Sequence, residues 1–149
     1  MNRRTLLQTI PATAALFSPA LWATPQTGKS EVTQGSGVFE LRIYHAAPGK
    51  LPDLLSRFRE HTIKIFEQHG MESVAYWIPL DEPEKSNTLI YILRHPSREA
   101  ADANWKSFRD DPNWQSVRDK SEANGKLVEK VDSTFMALTD FSPQLSAKK

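Results

Sequence analysis

The sequence predicts an α+β protein with the ferredoxin-like element order β-α-β-β-α-β. Three observations predict it: short segments whose apolar residues alternate at period two, two longer segments at helical spacing placed between them, and turn-forming Pro, Gly and Asp residues at the junctions. At 149 residues the chain is long enough for one domain.

The first strand is expected over residues 38–45, with Phe39, Leu41 and Ile43 on one face and Glu40, Arg42 and Tyr44 on the other. Pro48 and Gly49 break it. From Leu51 to His69 the apolar positions Leu51, Leu54, Leu55, Phe58, Ile65 and Phe66 keep helical spacing, with His61 and Thr62 completing the stripe. Gly70 stands where a left-handed cap ends such a helix. A second strand, Glu72 to Pro79, carries Val74, Tyr76, Trp77 and Ile78. A polar turn, Asp81 to Ser86, leads to a third strand from Asn87 to His95, rich in Ile, Leu and Tyr. Ser97 is placed to cap a second helix running through Arg109 that buries Ala101, Trp105 and Phe108. Asp111 and Pro112 form a fresh cap with proline at the first helical position, opening a short helix with Trp114 and Val117. A last strand is expected from about Val131 to Leu138.

The expected strand order is 4-1-3-2, with the first and third strands adjacent and read as parallel. Helices cover one face of such a sheet and leave the other open. An uncovered apolar face is unstable alone, and a second copy of the chain is the simplest cover.

The N-terminal region has a different character. Residues 1–23 hold no acid, and their only charges are Arg3 and Arg4. An apolar stretch around Leu6, Leu7, Ile10, Ala14, Leu16 and Phe17 follows, ending at Leu21, Trp22 and Ala23. A charged start, an apolar middle and a small terminal residue describe an export signal, and the paired arginines match a twin-arginine start directing the chain to a bacterial periplasm. Cleavage is expected after Ala23, with Ala20 second. Pro11 and Pro19 make the segment too weak for a stable membrane span. Residues 24–37, with Pro25, Gly28, Gly35 and Gly37 among Thr, Gln and Ser, read as a flexible linker. The folded domain is therefore placed at 38–143, with a tail at 144–149.

Charge and composition exclude several classes. Lys and Arg total 19 and Asp and Glu 18, a formal +1. Loss of the signal removes two arginines and no acid, so the balance passes to −1. No clustered basic excess remains for nucleic acid. With no cysteine, disulfides, thiolate nucleophiles and Cys-based zinc sites are excluded. Hydrophobic content of 39% and charged content of 25% suit a soluble globular domain. A glycine-rich phosphate loop, a His-Glu-x-x-His motif, a Ser-His-Asp arrangement and paired catalytic carboxylates cannot be picked out.

The folded part resembles the NIPSNAP family. The resemblance is carried by the run from Phe39 to Tyr44 followed by Pro48, Gly49 and Lys50, by Phe58 to His61, by His69 and Gly70, and by Tyr76 and Trp77. Its more specific parts are Pro96 to Ala101 with Trp105, the Asp110 to Trp114 segment, and Thr139 to Pro143. The resemblance implies a dimeric α+β barrel in which two ferredoxin-like sheets close face to face. It covers residues 38–143. The export signal stands where better-studied members of the family carry mitochondrial targeting.

Both faces of a barrel sheet are buried, so charges on the strands need partners. Tyr76 is expected near Tyr91, on a face with Phe39, Leu41, Ile43, Leu89 and Leu93. The opposite face gathers Glu40, Arg42, Tyr44, Trp77, Ile90, Ile92 and Arg94. Two readings fit it. One is a structural Glu40–Arg42 or Glu40–Arg94 network across a dimer interface. The other is a pocket in which Arg42 or Arg94 holds an anion while Trp77 and Tyr44 stack on the ligand.

Of the four histidines, His61 lies on the apolar stripe and is expected to face the sheet as a hydrogen-bonded core residue, with general base or haem ligand as the alternative. His69 lies in a last helical turn, where it complements the dipole. His45 and His95 end the two strands read as parallel neighbours and could approach each other, although a metal site there would need a third ligand.

Two functions from different classes follow. The first is an exported homodimer binding a small molecule or a protein partner, with no cofactor. The second is a small enzyme of the dimeric α+β barrel type, a cofactor-free oxygenase or isomerase, or a haem-handling protein.

Overall fold

The computed structural model describes residues 37–143 and 145. The expected export signal, all of the linker except Gly37 and all of the tail except Leu145 lie outside the described residues. Strand β1 (Val38–Ala46) leads into a long helix, α1, which spans residues 51–68. Strand β2 (Glu72–Trp77) and a one-turn 3₁₀ segment (Glu84–Ser86) precede β3 (Thr88–His95). Helices α2 (Arg98–Asp110) and α3 (Pro112–Ser121) lead to β4 (Val128–Met136). The last strand thus starts three residues before the sequence pattern suggested.

The caps follow the chemistry of the sequence. Ser97 Oγ accepts the Ala100 N–H at the start of α2, and the Asp111 carboxylate accepts the Asn113 N–H at the start of α3, with Pro112 following it. Gly70 ends the α1 segment with φ +71°.

The four strands form one sheet in the order β2-β3-β1-β4, and every pairing is antiparallel. The parallel arrangement expected for β1 and β3 is therefore incorrect. In this fold the crossover through α1 makes β1 and β2 run the same way, and β3, inserted between them, opposes both. The reversal has a consequence at the sheet ends: Val38 pairs with His95, and His45 pairs with Thr88. His45 and His95 lie at opposite ends of the β1–β3 ladder and cannot share a metal ion.

Antiparallel register also corrects the face assignment. Arg42 lies opposite Tyr91, Glu40 opposite Leu93 and Tyr44 opposite Leu89, so Glu40, Arg42 and Tyr44 share the helix-covered face with the tyrosine pair. Directly paired residues point the same way. Phe39, Leu41 and Ile43 instead join Arg94, Ile92 and Ile90. Tyr76 does pair with Tyr91, across a bulge in β2.

The core fills the space between the helix-covered face and α1 and α2. Tyr91, Leu93, Leu54, Phe66 and Met71 are essentially inaccessible, and Phe58, Trp105 and Phe108 nearly so. The other face has no covering element among the described residues. Phe39 is buried at one end of it, Leu41, Ile43, Ile90 and Ile92 are half-buried, and Trp77 is 47% exposed.

Helix α1 is not uniform. Between Leu51–Arg57 and Ile63–Gln68 it makes a π turn over Phe58–Thr62, with the Ile63 N–H bonded to the Phe58 carbonyl. The Thr62 hydroxyl, buried, donates to the Arg57 carbonyl at 3.2 Å. The wider turn aligns Phe58, Thr62 and Phe66 toward the core and turns His61 outward. With its side chain 50% exposed, His61 is not the core histidine that α-helical spacing predicted.

Candidate functional site

The row Glu40, Arg42, Tyr44 runs along the buried face of β1 and meets α2 at one end and α1 at the other. Glu40 is 1% exposed and its carboxylate is saturated. Oε1 accepts from Arg42 Nη1 at 2.7 Å and from Ser133 Oγ at 2.7 Å. Oε2 accepts from Trp105 Nε1 at 2.6 Å and from His95 Nε2 at 3.2 Å. Burial by itself would raise this carboxyl, but the hydrogen bonds from His95, Ser133, Trp105 and Arg42 outweigh it and hold its pKa at about 2. With Nε2 of His95 donating, its buried Nδ1 has no partner among the described residues.

Arg42 lies under the Trp105 indole, 4.1 Å from the ring centroid, and 5.5 Å from that of Tyr44. Burial would lower the guanidinium pKa, yet the phenols of Tyr44 and Tyr91 and the Glu40 carboxylate raise it. The network predicted around Glu40 and Arg42 therefore exists, but inside one chain and beneath α2. Arg94 takes no part in it: it lies on the opposite face and pairs with Glu72 at 2.8 Å. Trp77 is on that same opposite face. The six predicted ligand-binding residues thus separate: Glu40, Arg42 and Tyr44 are brought together, Trp77 and Arg94 line the open face, and His61 lies on the outer side of α1.

Beside Arg42 stands an aromatic cluster. Tyr91 contacts Tyr44 (ring centroids 5.3 Å apart), Phe58 (5.3 Å) and Tyr76 (5.5 Å, stacked). Among the described residues the buried Tyr91 hydroxyl and Arg42 Nε have no hydrogen-bond partner. Burial raises the Tyr91 phenol well above its ordinary pKa. The neighbouring Tyr44 phenol raises it further, and Arg42 opposes both. Tyr76 is also raised, by burial first, although its hydroxyl bonds Ser73 at 2.7 Å. Both phenols remain protonated donors at neutral pH.

Phe58, Tyr76 and Leu89 form the floor of a cleft of about 320 Å³ between α1 and the sheet, with Leu55 and Ile63 on its walls and Arg59, Lys64 and Glu67 around it. The π turn contributes Phe58 and Arg59. A second cleft, about 560 Å³, lies between α1 and α3 and is polar, lined among others by Lys50, Asp53, Arg57, Glu60, His61 and Lys120. Most of its charges are already committed: Lys50 pairs with Asp53, Arg57 with Glu122, and Ser56 donates to Glu60. The apolar cleft offers more to a ligand, because burial of apolar surface supplies binding free energy and few polar groups need desolvating.

The structure also assembles a relay that the sequence concealed. His69 Nδ1 lies 2.8 Å from Ser107 Oγ, and His69 Nε2 lies 2.9 Å from Asp111 Oδ2. The three residues resemble a nucleophile–base–acid series. Ser107, however, sits in the last turn of α2, where the helix dipole opposes a developing oxyanion. The relay fastens the C-terminus of α1 to the corner between α2 and α3. Among the described residues no group of three or more potential ligands could hold a metal ion, and His45 pairs instead with Asp132 at 2.9 Å. No described helix is long and apolar enough to cross a membrane.

The family described as NIPSNAP matches the chain over residues 39–143. Comparison with curated proteins finds no match. Among solved structures, a NIPSNAP-like domain protein from Burkholderia xenovorans is 19% identical, covering 74% of this chain and 92% of its own, with a TM-score of 0.63. A NIPSNAP family protein of unknown function from Agrobacterium tumefaciens is 24% identical, covering 72% and 93%, with a TM-score of 0.61. A monooxygenase from Streptomyces coelicolor, solved with the ligand nanaomycin D, is 14% identical, covering 72% and 93%, with a TM-score of 0.51. At these identities the likeness is one of fold.

Proposed function

Since the chain belongs to the NIPSNAP family, we propose that it is an exported homodimeric module that binds a small aromatic molecule in the apolar cleft between α1 and the sheet. One observation carries this reading: Phe58, Tyr76, Leu89, Leu55 and Ile63 give the cleft of about 320 Å³ an aromatic and aliphatic lining, the surface that a flat ring prefers. A ring seated there removes that apolar surface from water, which supplies the binding free energy. The ligand-bound Streptomyces monooxygenase offers a precedent for a small molecule on this fold. Catalysis of the cofactor-free oxygenase type is the second reading, favoured by the Tyr76 phenol and the Glu67 carboxylate lining the same cleft.

The test is a titration of the protein with 2-naphthoate, followed by methyl NMR. Shifts are expected at Leu55, Ile63 and Leu89, and Tyr76→Ala is expected to weaken binding about tenfold. Shifts confined to the polar cleft, near Val117, would overturn the reading. Added haem is expected to leave the visible spectrum unchanged, and a Soret shift would favour the haem alternative. Export is tested by N-terminal sequencing of the periplasmic protein, which is expected to begin at Thr24.

A further inference from the structure

Resting on the apolar cleft as the ligand site, we infer that its ligand is an aromatic acid, a small flat ring carrying one negative charge, and that Arg59 and Lys64 together hold the acid group at the rim. The π turn of α1 is what sets both cations on that rim.

Spacing along α1 comes first. Six residues of this helix line the cleft: Leu55, Phe58, Arg59, Ile63, Lys64 and Glu67. Phe58 and Ile63 are five residues apart, and so are Arg59 and Lys64. At 3.6 residues per turn, five residues leave two side chains about 140° apart around the axis. A regular helix would aim one member of each pair at the cleft and turn the other away. The π turn over Phe58–Thr62 closes its hydrogen bond one residue later, from the Ile63 N–H to the Phe58 carbonyl, so positions five apart come nearly into line. The extra residue that turns His61 outward thus brings a second cation to the cleft. Single π turns inside α-helices are uncommon and frequently stand at functional sites.

The charge at the rim is uncommitted. Among the described residues neither Arg59 nor Lys64 makes an ion pair within 4 Å, and both are exposed. Glu67 is the one carboxylate in the lining, and it follows Arg59 by eight residues, about 12 Å along the helix axis. The rim is therefore net positive, most of all at its Arg59 end. The polar cleft differs here, since its Lys50 and Arg57 are already paired with Asp53 and Glu122.

The lining sets the rest of the ligand. Phe58 and Tyr76 present aromatic surface, which favours flat partners through offset and edge contacts. A volume of about 320 Å³ is at the small end for ligand pockets and suits one or two rings. Because both cations are exposed and screened by solvent, the acid contributes a modest share of the affinity, about fivefold.

Three probes share one ring system and differ in charge: 2-naphthoate is an anion, 2-naphthol is neutral and 2-naphthylmethylammonium is a cation. Calorimetric titration of the protein at low ionic strength is expected to rank them in that order, with 2-naphthoate about fivefold tighter than 2-naphthol. Salt at about 0.5 M is expected to erase most of that difference. Arg59→Gln and Lys64→Gln, each changing an exposed side chain, are each expected to lose about half of the preference on a logarithmic scale, and the double variant all of it. Arg59→Glu with Lys64→Glu is expected to reverse the order and place the ammonium probe first, which a merely structural role for the two residues would not do. If the parent protein binds 2-naphthol as tightly as 2-naphthoate, or the charge-reversed protein keeps the parent's order, the acid is overturned while the apolar cleft stands. If one single variant loses the whole preference and the other none, the joint hold of the two cations is overturned. If none of the three probes binds, the cleft falls as a ligand site and the aromatic acid with it.

Discussion

The Trp105 indole donates to the Glu40 carboxylate at 2.6 Å, joining α2 to the centre of the sheet through a contact that excludes water. Because three further donors converge on the same carboxylate, Glu40 is ionised in the folded state down to a pKa of about 2, against an ordinary value of 4.5. A folded-state pKa below the unfolded one adds stability above the unfolded value and loses it as pH falls toward the folded value. Glu40→Gln is therefore expected to cost roughly 3 kcal/mol at neutral pH, with Arg42 left buried beside a neutral amide. The gap between variant and parent is expected to narrow below about pH 4.5, to roughly half by pH 3. Urea unfolding of both proteins between pH 7 and pH 3 checks this, and a gap that does not change with pH would refute it.

The π turn makes a separate claim on stability. Thr62 is buried, and its hydroxyl donates to the Arg57 carbonyl. Thr62→Val keeps the shape and removes the donor, at an expected cost of about 1 kcal/mol, which lowers Tm by about 4 °C in a domain of this size. Because Phe58 and Arg59 belong to the same turn, the variant is also expected to bind 2-naphthoate more weakly. Equal affinity in a destabilised protein would show that the turn does not shape the cleft.

Gly70 answers to two constraints at once. Its φ of +71° disfavours any residue with a Cβ, and a Cβ there would stand 3.3 Å from Asn104 Nδ2, the group that donates to the Gly70 carbonyl at 3.2 Å. Gly70→Ala is expected to cost about 1–2 kcal/mol. Asn104→Ala in that background should restore little, because the backbone term persists. Thermal unfolding of the parent and the two variants distinguishes backbone strain from crowding, and full recovery in the double variant would assign the cost to crowding.

Element order, caps and most boundaries were legible in the sequence because they rest on local chemistry: period-two alternation in residues 38–45, Ser97 and Asp111 as caps, and Gly70 as a terminator. The face of β1 was not legible. A row of Glu40, Arg42 and Tyr44 reads as the more polar side, and only the antiparallel register places it against Tyr91. Its burial is tolerable because Ser133 and Trp105, 93 and 65 residues away in sequence, supply the donors. His61 failed for another reason: α-helical spacing assumes 3.6 residues per turn, and the π turn breaks that period at His61 itself. The tyrosine cluster carried a partial signal, since Tyr76 and Tyr91 were placed together from the hairpin alone. The His69–Ser107–Asp111 relay carried none, because its members come from two helices and a corner with no recognisable spacing.

The open face of the sheet sets up the remaining prediction. Leu41, Ile43, Ile90 and Ile92 form an apolar grid in the centre, extended by Ala75 and Trp77 on β2. The Glu72–Arg94 ion pair and the His45–Asp132 hydrogen bond lie toward its margins. An apolar centre within a polar rim is the anatomy of a protein interface, and two such faces closing on each other would bury both grids. The protein is therefore expected to be a dimer by light scattering at micromolar concentration. Ile92→Asp, which places a charge at the middle of the grid and touches neither the helix-covered core nor the cleft, is expected to give a folded monomer. Trp77→Ala, at the grid's edge, should weaken association without abolishing it. A monomeric parent protein would refute the interface. So would an Ile92→Asp variant that remains a dimer, because an aspartate cannot be buried unpaired at the centre of an apolar contact without a large cost.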